Sequence, residues 1–110
     1  MPSIFRPCVC VESPYAGEIE RNVLYAQRAM TESLGRGEAP FLSHLLYTQV
    51  LEDTEPAGRR AGLEAGASWL IQSVRVAFYV DYGMSPGMKE AEAIAESFEI
   101  QRVYRKIGVN

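Results

Sequence analysis

A chain of 110 residues, 47% of them hydrophobic, carries enough apolar material for one core and too little for two ordinary domains. Its formal charge of −3, with 11 basic residues interspersed among 14 acidic ones, leaves no basic footprint for nucleic acid or an anionic membrane surface. No apolar run approaches the roughly 20 residues of a membrane span; the start, MPSIFRPCVCVE, also lacks the basic flank and small-residue cleavage site of a secretory leader, so a soluble cytoplasmic protein is expected.

Pro7 precedes CVCVES, a short apolar run ended by SPYAG, which predicts a strand buried on both faces. Cys8 and Cys10 fall on one side of that strand, badly placed to bridge each other, and read as buried small hydrophobes. Two close cysteines and a single histidine make no tetrahedral set, so neither a metal nor a cofactor is expected. From Glu18 to about Arg36, Ile19, Val23, Ala26, Met30 and Leu34 recur every three to four residues, and Gly35 and Gly37 close an amphipathic helix. APFLSH reads as a second short strand, and LLYTQVLEDTEP as a loop or helical turn.

A second helix is expected from Thr54 to Pro56 onward, ending near Gln72, with Gly62, Gly66 and Trp69 on one face where small residues allow close packing on a sheet. VRVAFYVD is the clearest strand in the chain and stops at Asp81. Ser85 can cap a third helix with Pro86 in its first position and with Met88, Ala91, Ala95 and Phe98 as the buried stripe. EIQRVYR then reads as the closing strand.

Strands and helices alternate, and every strand-to-strand connection exceeds the dozen or so residues a parallel crossover needs. The predicted fold is therefore a single α/β domain over residues 1–110: a small doubly wound parallel sheet of four to five strands with helices on both faces. In the common 2-1-3-4 order, ligands bind outside the carboxyl ends of strands one and three, where SPYAG and DYGMSPG would meet.

At that crevice the start of the third helix presents amide N–H groups and a partial positive charge, and Gly87 removes the side chain that would keep an anion away. Ser-Pro-Gly is also simply a good capping sequence, and spacing alone favours that reading. In the first loop Ser13 supplies a hydroxyl, Tyr15 a stacking face and Gly17 backbone freedom, without matching a dinucleotide fingerprint or a Walker loop. His44 follows the second strand, again toward the carboxyl edge, and no hydrolase set assembles around it from spacing. Asp81 and Glu90 are candidates for binding ribose hydroxyls or for acid–base work, although acidic residues near helix starts are also favoured by the dipole.

VESPYAGEIERNVLYAQ, PFLSHLLYTQ and DYGMSPGMKEAEAIAES, in this order, resemble the nucleoside 2-deoxyribosyltransferase-like superfamily, and within it an uncharacterised branch common in phages and bacteria. The resemblance runs from about Val9 to Arg105 and implies a nucleoside-contacting first loop, with Ser13, Pro14, Tyr15, Ala16 and Gly17, followed by Asn22. It likewise implies ligand contacts at His44, Asp81 and Ser85, Pro86, Gly87 and Met88. In the superfamily's enzymes a glutamate on the helix after the glycine attacks the sugar's anomeric carbon. Here the position four after Gly87 is Ala91, which makes Glu90 the candidate nucleophile, with Asp81 assisting.

Two functions follow as expectations. One is a binder of a nucleotide-derived small molecule, as in a phage protein that sequesters a host nucleotide signal; the other is an N-glycosidic enzyme, a deoxyribosyltransferase or nucleotide hydrolase, using Glu90. A regulatory protein with an empty crevice is the third possibility. The resemblance also implies a homo-oligomer, with LLYTQVL as an apolar contact.

Overall fold

The computed structural model describes residues 5–52 and 54–109; residues 1–4 of the opening segment, Asp53 of LLYTQVLEDTEP and Asn110 lie outside the described residues. Four strands, β1 (Cys8–Glu12), β2 (Ala39–Phe41), β3 (Arg75–Tyr79) and β4 (Gln101–Arg105), form one sheet in the order β2-β1-β3-β4. All three pairings are parallel, with registers such as Cys8↔Ala39, Val9↔Arg75 and Arg75↔Gln101. The helices are α1 (Ile19–Gly35), α2 (Ser43–Leu46), α3 (Pro56–Leu70) and α4 (Pro86–Ser97), with a 3-10 turn at Tyr47–Gln49. This is the doubly wound α/β arrangement predicted from the alternation of apolar runs. No helix among the described residues is long and apolar enough to cross a membrane.

Alternation along β1 and β3 divides the core into two layers. Val9, Val11, Ala77 and Tyr79 point to the α1 face, where Tyr25, Ala26 and Ala29 cover them. Cys10, Val76 and Phe78 point to the opposite face, under Leu70 of α3 and Met88, Ala91 and Ala95 of α4. Because both central strands are sandwiched in this way, they read in sequence as continuous apolar runs.

Four local expectations are corrected. α1 buries Asn22, Tyr25, Ala26, Ala29 and Ser33, while Ile19 and Leu34 stay about half exposed, so its inner face is rotated from the most apolar stripe. Polar Asn22 and Ser33 are admitted because each has a partner: Asn22 binds backbone carbonyls and Ser33 Oγ donates to Glu38 Oε1 at 2.7 Å. The second strand stops at Phe41 rather than running through His44: it is the sheet's edge, Pro40 offers no donor, and Ser43 already begins α2. Cys8 is exposed at the start of β1, outside the sandwiched part of that strand, whereas Cys10 is buried. Phe98 lies past the last turn of α4 and is exposed rather than buried.

The glycines of α3 do not face the sheet either. Gly58, Gly62 and Gly66 recur at four-residue intervals and meet, in turn, the Glu52 backbone, Leu51 Cδ1 and the Ser43 side chain. They form the groove into which the segment from α2 to Glu52 lies down. A methyl group on Gly66 would sit 2.8 Å from Ser43 Oγ and 3.1 Å from its Cβ. Gly66→Ala is therefore expected to cost about 1–3 kcal/mol through overpacking, more than the up to ~1 kcal/mol that alanine returns in helix propensity. Gly35→Ala, with open space around it, should be neutral or stabilising; urea midpoints of the two variants check the contrast.

Candidate functional site

Order β2-β1-β3-β4 reverses the chain's direction of winding between β1 and β3, and a cavity of about 300 Å³ opens at their carboxyl ends. That volume lies at the lower end of small-molecule sites, which run from about 300 to 1,000 Å³. The end of β1 and the first loop supply Glu12, Ser13, Tyr15 and Ala16; the segment from α2 to Leu51 supplies His44, Tyr47 and Thr48; α3 supplies Gly58, Arg59 and Leu63; and the start of α4 closes it with Ser85, Pro86, Gly87 and Met88. The loops around Tyr15 and Gly87 thus share one cleft.

Each wall is held by identifiable contacts. Asn22, buried under the first loop, donates from Nδ2 to the carbonyls of Tyr15 at 2.9 Å and Ala16 at 3.3 Å, and the loop then turns at Gly17, whose φ of +94° suits glycine. Pro14 is buried beside it. Asn22, Gly17 and Pro14 therefore shape the loop without lining the cavity. At the far wall, Ser85 Oγ accepts from the Met88 N–H at 3.3 Å, the Ser85 N–H points to Met88 Sδ at 3.4 Å, and Pro86 has no N–H. Of the amides expected to cradle an anion, this leaves the Gly87 N–H, backed by the helix dipole and by open space where a side chain would be. Arg59 is the cation of the lining.

On the cavity floor Ser13 Oγ and His44 Nε2 lie 2.7 Å apart, and Thr48 Oγ1 donates to the His44 carbonyl at 2.7 Å. Burial pushes the His44 imidazole down to about 4, so at neutral pH it is uncharged, and the pair is a neutral hydrogen bond. Among the described residues no carboxylate reaches the ring's other nitrogen, so the dyad lacks the acid that orients a hydrolytic triad.

Glu12 is one of the cleft residues that sequence reasoning missed, together with Tyr47, Thr48, Arg59 and Leu63. Its carboxyl lies at the end of β1 with no cation partner among the described residues; Cys10 Sγ approaches Oε2 at 3.3 Å as donor. Burial pushes the carboxyl up to about 7, against the smaller downward pull of the thiol's hydrogen bond. Burial, and then the neighbouring carboxylate, raises the Cys10 thiol in turn, so Cys10 remains a thiol. The available signal was a glutamate ending the apolar run CVCVE, a charge in a strand otherwise buried on both faces.

Two of the residues singled out for chemistry stand elsewhere. The Asp81 carboxylate accepts from Tyr25 Oη at 2.5 Å and from the amides of Ile107 and Gly108, both at 2.9 Å, tying the segment after β4 to α1. Desolvation raises its pKa, but those donors prevail and hold it below the usual aspartate value. Glu90 is exposed on α4, and neither Glu90 nor Asp81 lines the cavity. No group of three or more candidate metal-ligating side chains occurs among the described residues.

Residues 7–105 match the model of a family described as a domain of unknown function, DUF7768. No curated protein matches the chain.

Proposed function

The chain belongs to the DUF7768 family, and from its cleft we propose that it binds a nucleotide-derived small molecule. One observation carries this reading: a single cavity at the β1–β3 crossover combines an anion-favouring wall with an aromatic and apolar one. Arg59 and the Gly87 N–H at the start of α4 suit a phosphate, and Tyr15, Tyr47, Leu51 and Leu63 offer flat, apolar surface for a base. Glu12, Ser13 and His44 add polar groups for a sugar or a base edge. The likeness of the SPYAG and SPGM segments to nucleoside 2-deoxyribosyltransferase-like proteins supports the same class of ligand.

The N-glycosidic alternative requires a carboxylate nucleophile beside the sugar. Glu90, its candidate, is exposed and outside the lining. The nucleophile named from the sequence is thus out of reach, and sequestration of an intact nucleotide signal is the role we favour; Glu12, the carboxylate that does line the cavity, makes turnover the outcome that the test must separate from binding.

Thermal-shift measurement against nucleoside monophosphates and cyclic nucleotide signals tests this. A ligand at a hundredfold its Kd adds about 2.7 kcal/mol, which in a domain of this size raises Tm by about 10 °C. Chromatography of the bound ligand should return it intact. Absence of a shift across the whole panel would overturn the nucleotide reading, and release of free base would replace binding with turnover.

A further inference from the structure

We infer that Glu12 is the cavity's acceptor for a sugar cis-diol, so that the ligand class is the ribonucleotide rather than the 2′-deoxyribonucleotide. The inference rests on the nucleotide reading above and specifies which sugar that site takes.

Among the described residues Glu12 stands in the cavity wall with one side-chain hydrogen bond, from the Cys10 thiol to Oε2, and makes no ion pair. A carboxylate presents about four lone-pair positions, so most of its accepting capacity faces the cavity unfilled. Its neighbours do not compete for it: Ser13 Oγ and His44 Nε2 satisfy each other at 2.7 Å, and Asp81, the other acidic candidate for a ribose, is occupied by Tyr25 and two backbone amides. Two adjacent hydroxyls can donate to the two oxygens of one carboxylate. A 2′-deoxy sugar offers a single donor there and leaves a desolvated acceptor without a partner, which is the costly outcome for a polar group taken out of water.

The ionised form accepts both hydroxyls, whereas the protonated acid keeps one oxygen occupied as a donor. With the carboxyl pushed up to about 7 by burial, the diol-accepting form gains population as pH rises through neutrality. Among the described residues, the other titratable or charged groups in the lining or in contact with the carboxyl are Cys10 on its own strand, Tyr15 in the first loop, His44 and Tyr47 on the wall from α2, and Arg59 on α3; Ser85 to Met88 of α4 contribute none. His44 changes charge near 4, below this window.

The experiment is calorimetric titration of the intact protein with the four ribonucleoside 5′-monophosphates and their 2′-deoxy counterparts at pH 5, 6.5 and 8. Each pair carries the same phosphate, so its titration cancels in the ratio of affinities. For the base that binds best, the ribo form should bind about tenfold tighter at pH 8, and the preference should shrink toward parity at pH 5. Glu12→Gln should abolish the preference at every pH, and Glu12→Asp, which keeps the charge but withdraws it by one methylene, should reduce it. Equal affinities for ribo and deoxy forms at pH 8 would overturn this inference and leave the nucleotide reading intact. A preference that survives Glu12→Gln would overturn it too, by giving the diol to another group. Failure of all eight probes to bind would count against the nucleotide reading itself and remove the basis of this one. Should the variants not fold, the pH dependence of the wild-type preference decides the matter alone.

Discussion

Replacing Glu38 with alanine is expected to lower the unfolding free energy by about 3–5 kcal/mol, the cost of leaving a buried cation without its partner. Glu38 is 4% exposed and takes Arg105 through both oxygens, at 2.8 and 2.7 Å, with Arg75 Nη1 at 2.8 Å and Ser33 Oγ at 2.7 Å. Arg105 also donates to Tyr79 Oη at 3.0 Å, which in turn donates to Glu32 at 2.6 Å. The network links the residue before β2, the start of β3 and the end of β4. Arg105's hydrogen bonds, foremost, pull the Glu38 carboxyl down to about 2 against the opposing effect of burial. A depressed carboxyl contributes stability that is present above the unfolded value of 4.5 and is lost as pH falls through about 2. The penalty of Glu38→Ala, measured by urea unfolding, should therefore be largest at neutral pH and should shrink as wild type itself is acidified below about 4. The double variant Glu38→Leu, Arg105→Met should recover much of the loss, since apolar replacement of a whole buried pair is close to neutral. A single-variant loss under 1 kcal/mol would reduce the network to the worth of a surface ion pair.

None of that network was legible in the sequence. Glu38 lies 37 residues from Arg75 and 67 from Arg105, and nothing local marks a pairing at such separations. The strands, by contrast, were legible because a parallel strand covered on both faces must be apolar throughout, as CVCV and VAFY are. The start of α4 was legible because a serine followed by proline has a local reason to begin a helix, and Ser85 does cap it. The inner face of α1 was not, because Asn22 and Ser33 occupy it by virtue of partners elsewhere in the chain. The same reasoning applies to the cleft. Its first loop and its α4 wall follow directly from apolar runs and were found; of the wall from Ser43 to Leu51 only His44 and a loop or helical turn were legible, because one helical turn and one 3-10 turn are too short to show a period. What could have been seen is the spacing of Gly58, Gly62 and Gly66, which marks a groove whether or not its occupant is known.

Glu12 and His44 should give the cleft a pH signature of its own. Glu12 rises from 4.5 to about 7 on folding: the acid is neutral in both states below 4.5, but at higher pH the native state must hold a desolvated carboxylate. Its contribution is therefore full below 4.5 and lost as pH rises through 7, and the shift corresponds to at most about 3 kcal/mol. His44 falls from 6.5 to about 4, so its contribution is present above 6.5 and lost as pH falls through 4, again by at most about 3 kcal/mol. Solvent reaching both groups through the cavity makes these upper limits. The two slopes oppose each other over the same window, so wild-type stability should vary little between pH 4.5 and 6.5. Each substitution unmasks the other group. Glu12→Gln, which resembles the neutral acid, should match wild type near pH 4.5 and exceed it at pH 7.5, with Tm higher by up to about 10 °C. His44→Gln should exceed wild type near pH 4.5 and approach it at 7.5. Such a gain at neutral pH would mean that the native fold keeps a destabilising carboxyl where a glutamine would be more stable, the pattern expected of a functional group. Stability curves for wild type and Glu12→Gln that stay parallel from pH 4.5 to 7.5 would show that water screens the carboxyl as it does at a surface. The cavity would then be too wet for Glu12 to read a sugar by the cost of an unfilled hydrogen bond.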